Sequence, residues 1–489
     1  MENVSLILRK NFTMDKFLTE IKVVADQNIK KVLSFKARSV VVSKEIIGGV
    51  VSVSGKVAVN MICLGENNEI FSTTNEIDFS EKQKAVAALT DLFARDTVEA
   101  KLSTVAGNEA LFVVSHKVDI GGSFDHKFLA ISDESDFVVK RKNFTSNTLS
   151  KVVDESFVVA EECDTNLGDV SVLLATAETN KYSVIASVDR VVVEGSVLAE
   201  VVYAENGSFS SMKKEIEFKQ EVAIDGVLPN MNANANLNVL NITVTPESKD
   251  GKTTLVFAID IQLQAQVYDE IEIDAVCDMF SLQNELKTTF ELSCLKNYQR
   301  SVCGSETMVS STEIAHIANL EDFVGVYGAE FVIHEIKQLG EKVVVCGEIQ
   351  ANAVYDTQSG KNSMRVVKNV EFEISNENNQ KFENFKVFAT VESFKVKAGK
   401  ELETAFVVDY IADIVSVVEE EFVTNFEIKE ERLNKFSGIK VYITKEGETL
   451  FDVARVIGVK PEVIETQNEI GDIFRQGEKI YVYSPINLM

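Results

Sequence analysis

Hydrophobic and polar residues alternate with a period near two over most of this chain, the spacing of strands that bury one face. The runs VVSVSGKVAVNMICL (50–64), VDRVVVEGSVLAEVVYA (188–204) and KVVVCGEIQANAVYD (342–356) are rich in Val, and each carries a glycine mid-run: Gly55, Gly195 and Gly347. Glycine inside a strand marks a bulge or a close backbone approach. A polar turn follows each run (GENNE, ENGS, TQSGKN), then a second strand with an acidic–apolar signature at Phe79, Phe218 or Phe372. The Gly-to-Phe distances are 24, 23 and 25 residues, and the glycines stand 140 and 152 residues apart. Such agreement predicts an internal repeat of domain size. Further alternating runs at 110–120, 253–268 and 404–418 continue each copy. The pattern predicts a mainly β chain of three β-sandwich-like repeats, 1–146, 147–295 and 296–434, with joints near 146–150, 292–300 and 433–437. Helical periodicity is scarce. KFLTEIKVVADQNIKKVL (16–33) suggests a helix ahead of the first unit, and 311–328 is ambiguous.

The period changes at Gly438. VYIT (441–444) reads as a short strand, and Thr449 with Asp452 has capping-box spacing. Leu450, Val453, Ala454 and Ile457 form one apolar helical face, closed by Gly458. Pro461 suits the first turn of a second helix whose Val463 and Ile464 face inward. RQGEKIYVYS (475–484) supplies a turn and a closing strand. The expectation is a βααβ unit over 436–489, very small for a freestanding core.

This tail resembles a LysM domain, through Tyr442, the Gly447-Glu448-Thr449-Leu450 turn, Ala454, Gly458-Val459, Asn468 and the Gly477-Glu478-Lys479-Ile480 turn. The resemblance implies a shallow groove for an N-acetylglucosamine-containing glycan. It would lie between Gly447, Glu448, Thr449 and Leu450 on one loop and Asn468, Glu469 and Ile470 on the other. Residues read as turn formers, caps or core account for the same positions: Gly447 and Thr449 shape the turn and cap the helix, and Leu450 suits the core. Neither loop has a Trp or Tyr to stack on a sugar.

The segment 191–246, with its VEG strand, VVYA-ENG hairpin, EIEF strand and DGVLPNM turn, is similar to the SPOCS domain of spore-forming Firmicutes. Three such units and one C-terminal LysM resemble the family of spore-coat morphogenetic proteins that bind the coat-basement ATPase. That resemblance implies a scaffold working in the mother cell cytoplasm at the forespore surface, its LysM module holding a protein partner. The chain departs from the family pattern in lacking an acidic, proline-containing opening to its first repeat.

Composition narrows the alternatives. At 489 residues the chain exceeds one ordinary core. A formal charge of −27 argues against nucleic-acid and anionic membrane partners. No signal-peptide core follows Arg9 and Lys10, and no uncharged apolar run reaches the roughly 18 residues of a membrane span. The six cysteines lack a CxxC pair, which predicts reduced thiols. His116, His126, His316 and His334 lack zinc-motif spacing, and strand-borne His116 and His334 read as structural. GKT (251–253) follows Pro246 where a phosphate loop needs glycine, and no GxSxG occurs. The chain is therefore expected to be non-enzymatic, with no cofactor and no metal.

Overall fold

A computed structural model describes residues 2–484 apart from 86–87, 131–135, 206–207, 250–251, 359, 377–379, 432–437 and 470–473. The chain is mainly β. Its first part comprises β1 (Glu2–Thr13), β2 (Phe17–Val24), β3 (Ile29–Ile47), β4 (Val50–Gly65), β5 (Ile70–Lys84), β6 (Thr90–Ala106) and β7 (Glu109–Ala130). Next come β8 (Phe137–Asp164), β9 (Val170–Ser187), β10 (Arg190–Glu205), β11 (Ser208–Ala223), β12 (Asn232–Lys249) and β13 (Lys252–Ser281). A third set follows with β14 (Asn284–Glu313), β15 (Leu320–Leu339), β16 (Lys342–Thr357), β17 (Gly360–Ser375), β18 (Lys381–Lys397) and β19 (Glu401–Glu431). The tail holds β20 (Gly438–Ile443), α1 (Leu450–Ile457), α2 (Pro461–Gln467) and β21 (Lys479–Ser484).

Each of the first three sets makes two sheets by the same course. A long opening strand pairs antiparallel with the closing one: β8 with β13, β14 with β19, and β1 then β2 with β7. The penultimate strand (β6, β12 or β18) flanks the closing strand on its other side. The middle three strands form a meander, β3-β4-β5, β9-β10-β11 and β15-β16-β17. Alternating side chains from the two sheets of a set meet in one core, around Phe112 in the first, Phe257 in the second and Phe406 in the third.

The segment 16–33 is not helical. Phe17–Val24 is a strand in which Ile21 and Val23 alternate inward opposite Phe112 and Ala110 of β7, and Ile29 begins β3. Pairing on both sides of β7 outweighs the local helix signal. The ambiguous 311–328 segment is the end of β14, a turn and the start of β15. The joints expected at 146–150 and 292–300 fall within β8 and β14, which run unbroken; the third, 433–437, lies outside the described residues.

The mid-strand glycines share one cause. A Cβ on Gly55 would collide with the Val40 carbonyl, on Gly195 with that of Lys181, and on Gly347 with that of Val332. Phe79 lies opposite Gly55 and Phe218 opposite Gly195, whereas Phe372 faces Val345, two places along.

A bulge recurs in the first meander strand, leaving Leu33, Leu173 and Val324 without a ladder partner at matching places. A bulge bends its strand and redirects the side chain. Leu33, Leu173 and Val324 join Ile62, Val202, Tyr327 and Val354 in a cluster drawn from all three sets. The edge strand of each meander meets the first meander strand of the next set: β5 meets β9, β11 meets β15, and β17 returns to β3. The three sets thus close into a ring. Beyond the sheets, the paired opening and closing strands extend as ribbons that also converge. Phe128 and Phe422 meet edge-on at 5.2 Å, and Phe144 stacks on Phe422 at 5.3 Å, one ring from each set. Each such aromatic pair adds about 1 kcal/mol beyond the area it buries.

Candidate functional site

The tail folds as β20, α1, α2 and β21. Thr449 caps α1: Asp452 N–H donates to its Oγ1 at 3.3 Å, while Thr449 N–H donates to Asp452 Oδ2 at 2.9 Å. Gly458 ends the helix at φ 83°, a left-handed conformation that costs glycine little. Pro461 opens α2, whose missing N–H is not needed in a first turn. Burial raises the Asp452 pKa, but hydrogen bonds from Thr449 and the nearby Arg455 and Lys140 charges outweigh it, so the carboxyl lies below its ordinary value.

The tail core does not close on itself alone. Phe451, Val453, Ala454, Ile457, Ile464, Phe474, Ile480 and Val482 share one cluster with Val138 of β8 and Phe280 of β13. Phe280 and Phe451 meet edge-on at 5.2 Å, and Arg455 of α1 is ion-paired with Asp278 of β13. The second ribbon therefore lends apolar surface to a unit too small to bury much by itself.

Of the groove residues expected from sequence, Gly447, Glu448, Thr449, Leu450 and Asn468 have local partners. Gly447 adopts φ 78° and is exposed. Glu448 accepts from Tyr442 Oη at 2.8 Å and from Lys445 N–H at 2.8 Å, tying the turn to β20. Burial, then that hydrogen bond, raises the Tyr442 pKa. Leu450 is half-buried against the tail core. The loops lie side by side at one point, where Gly447 N–H donates to Phe474 O and Phe474 N–H donates to Glu448 O at 3.0 Å. Asn468 is engaged elsewhere. Its side-chain amide donates to Tyr481 O at 2.7 Å and accepts from Tyr481 N–H at 2.9 Å. Gln467 makes the same double contact with Tyr483. Together the two amides occupy the backbone groups along one edge of β21, which would otherwise invite another strand. Glu469 is exposed, and Ile470 lies outside the described residues.

Residues 169–247 match the family model described as SipL, SPOCS domain. The match spans β9 to β12, the meander and first flanking strand of the second sheet pair. No curated protein and no solved structure matches the chain.

The tail also has an apolar outer face. Its two strands pair with Ile439 opposite Tyr483 and Val441 opposite Tyr481. Those four side chains and Ile443 stand on the face away from the helices and are exposed by half or more. The signal was present as alternation in GIKVYI and KIYVYS, with apolar residues on both faces. Along its other edge β20 has no ladder partner among the described residues. No helix among the described residues is long and apolar enough to cross a membrane, and none of their His, Cys, Asp and Glu side chains form a metal-binding group.

Proposed function

We propose that this chain is a non-enzymatic scaffold and adaptor of spore-envelope assembly, built from three SPOCS-like repeats and a LysM-like tail that docks a protein. The observation that carries this reading is the SPOCS match over 169–247, in a sheet pair whose course and register the other two pairs repeat. A ring held by three convergent phenylalanines suits a rigid support. The tail is fixed to that support through Phe280 and Asp278 and turns Ile439, Val441, Ile443, Tyr481 and Tyr483 outward. An apolar, aromatic sheet face beside an open strand edge favours a protein surface, which can cover the face and extend the sheet. In the resembling family the partner is the coat-basement ATPase at the forespore surface, in the mother cell cytoplasm, and we assign the same class of partner here.

A second reading, attachment to peptidoglycan through N-acetylglucosamine, draws on the two tail loops that meet at Gly447 and Phe474. Two sedimentation arms separate the readings. The full chain is mixed with bead-immobilised coat-basement ATPase or with insoluble peptidoglycan, alongside Val441→Asp and Tyr481→Asp. The adaptor reading expects co-sedimentation with the ATPase, lost in both variants, and no retention on peptidoglycan. Retention on peptidoglycan without ATPase binding contradicts it.

A further inference from the structure

The ring surrounds a solvent-open cavity with no tail residue in its lining. It holds about 530 Å³, within the range of small-molecule sites, and all three sheet pairs wall it. Leu174 belongs both to its wall and to the apolar cluster built on the three bulges.

Asn180 on β9 is the most telling residue of this wall. It occupies a second bulge, unpaired between Thr179 and Lys181. The corresponding bulges of the other two pairs fall on Val42 and His334, both exposed and two places away along the central strand. In the second pair the bulge is displaced, and its side chain is an amide, 7% exposed, whose Oδ1 has no hydrogen-bond partner. Asn60 and Asp96 belong to the same wall, and the Oδ1 atom of each is likewise buried and unpartnered. The other Asp96 oxygen is engaged by His116 Nδ1 at 2.6 Å and Ser39 Oγ at 2.5 Å. Buried acceptors in folded proteins are nearly always satisfied, so three on the residues of one wall point to donors that the protein itself does not supply.

Charge defines those donors further. Arg38, Glu178 and Glu330 occupy equivalent register positions, opposite Ala58, Leu198 and Gln350, and all face the cavity. Lys36 and Arg95 add positive charge. Among the described residues the side chains of Lys36, Arg95, Glu178 and Glu330 make no ion pair. A net anion would meet Glu178 and Glu330, and a net cation would meet Lys36 and Arg95. Hydroxyl groups serve both signs, donating to carboxylates and amide oxygens while accepting from ammonium and guanidinium groups. Phe331 and Phe385 also line the space and offer apolar surface for a C–H face.

We propose that the central cavity binds a small neutral polyhydroxylated solute, of monosaccharide to disaccharide size, with Asn180 as a direct acceptor. The site is separate from the tail and from any glycan polymer. The test is a titration of the full chain with glucose, myo-inositol, maltose and trehalose, read by ligand-observed saturation-transfer NMR and calorimetry. Sodium phosphate, spermidine and glycine betaine serve as charged probes. The result expected is saturable binding of at least one polyol tighter than about 10 mM, weakened about tenfold or more in Asn180→Ala. Glu178→Leu, at an exposed position of the wall, provides a second variant that keeps the fold and should weaken the same ligand. Binding of none of the polyols, binding unchanged in both variants, or saturation by a charged probe alone would each overturn the assignment.

Discussion

Lys386 on β18 offers a quantitative test of how the three sheet pairs meet. Its side chain is 8% exposed, donates from Nζ to Leu237 O of β12 at 3.3 Å, and lies 5.7 Å from the Tyr182 ring centroid. These partners belong to the second sheet pair, so the lysine is buried by contact between two sets. Burial first, then the Arg95 charge, lowers its pKa from 10.5 to about 7, against the opposing pull of Asp413 and Glu178. The fold therefore disfavours the charged form by about 5 kcal/mol, at 1.36 kcal/mol per pKa unit. Near pH 7 half of the folded molecules keep the proton, and the penalty on stability is about 4 kcal/mol.

The sign follows from proton counting. Between pH 7 and 10.5 the unfolded chain binds more protons at this residue than the folded one, so its contribution to stability rises with pH. Above 10.5 both states are neutral and the penalty vanishes. Lys386→Met keeps the volume, removes the titration and leaves Leu237 O unpaired, at about 1–2 kcal/mol. The variant should be more stable than the parent by about 2–3 kcal/mol at pH 7 and less stable by about 1–2 kcal/mol above pH 10.5. Urea unfolding of both proteins at pH 7, 8.5, 10 and 11, compared as differences at each pH, reads the crossover. A difference that stays constant across that range would mean that Nζ keeps its proton in the fold and that burial does not lower its pKa.

Three further outcomes are expected. Gly195→Ala forces a Cβ against the Lys181 carbonyl and should cost on the order of 3 kcal/mol, seen as a lower unfolding midpoint; an unchanged midpoint would remove the close-approach explanation. Phe280→Ala takes away the ring against which Phe451 packs and should cost about 2–4 kcal/mol of tail docking, read as faster proteolytic release of residues 438–484. Thr449→Ala should lower amide protection in α1 about fivefold, about 1 kcal/mol. In the parent, the lowered Asp452 pKa means that its stabilising contribution is complete above the ordinary carboxyl value of 3.8 and is lost as pH falls through the folded value, so α1 exchange should quicken there.

Local chemistry was readable from the chain; long-range closure was not. The Gly55, Gly195 and Gly347 runs announced strands because alternation and glycine act within a few residues. The Thr449–Asp452 cap, Gly458 and Pro461 marked α1 and α2 for the same reason. The segment 16–33 misled because its charged residues recur at helical spacing, while the pairing of β2 along β7, nearly a hundred residues away, decides its conformation. Continuous alternation through β8 and β14 hid where one sheet pair gives way to the next. Phe128, Phe144 and Phe422 look like ordinary strand phenylalanines until three ribbons bring them together. Bulges at Leu33, Leu173, Val324 and Asn180 shift the register by one residue, which a period near two cannot reveal. At the candidate groove, the family resemblance singled out Asn468, and its pairing with Tyr481 along the edge of β21 depends on a residue 13 places away that local spacing does not reveal.

Three sheet pairs close into one body, with the tail seated on the second ribbon. Small-angle X-ray scattering of the full chain tests that arrangement most directly. A closed body of this length should give a radius of gyration of about 23–26 Å and a single-peaked distance distribution. A radius near 40 Å, with separate peaks for units strung along a line, would contradict the ring and the rigid support it gives the tail.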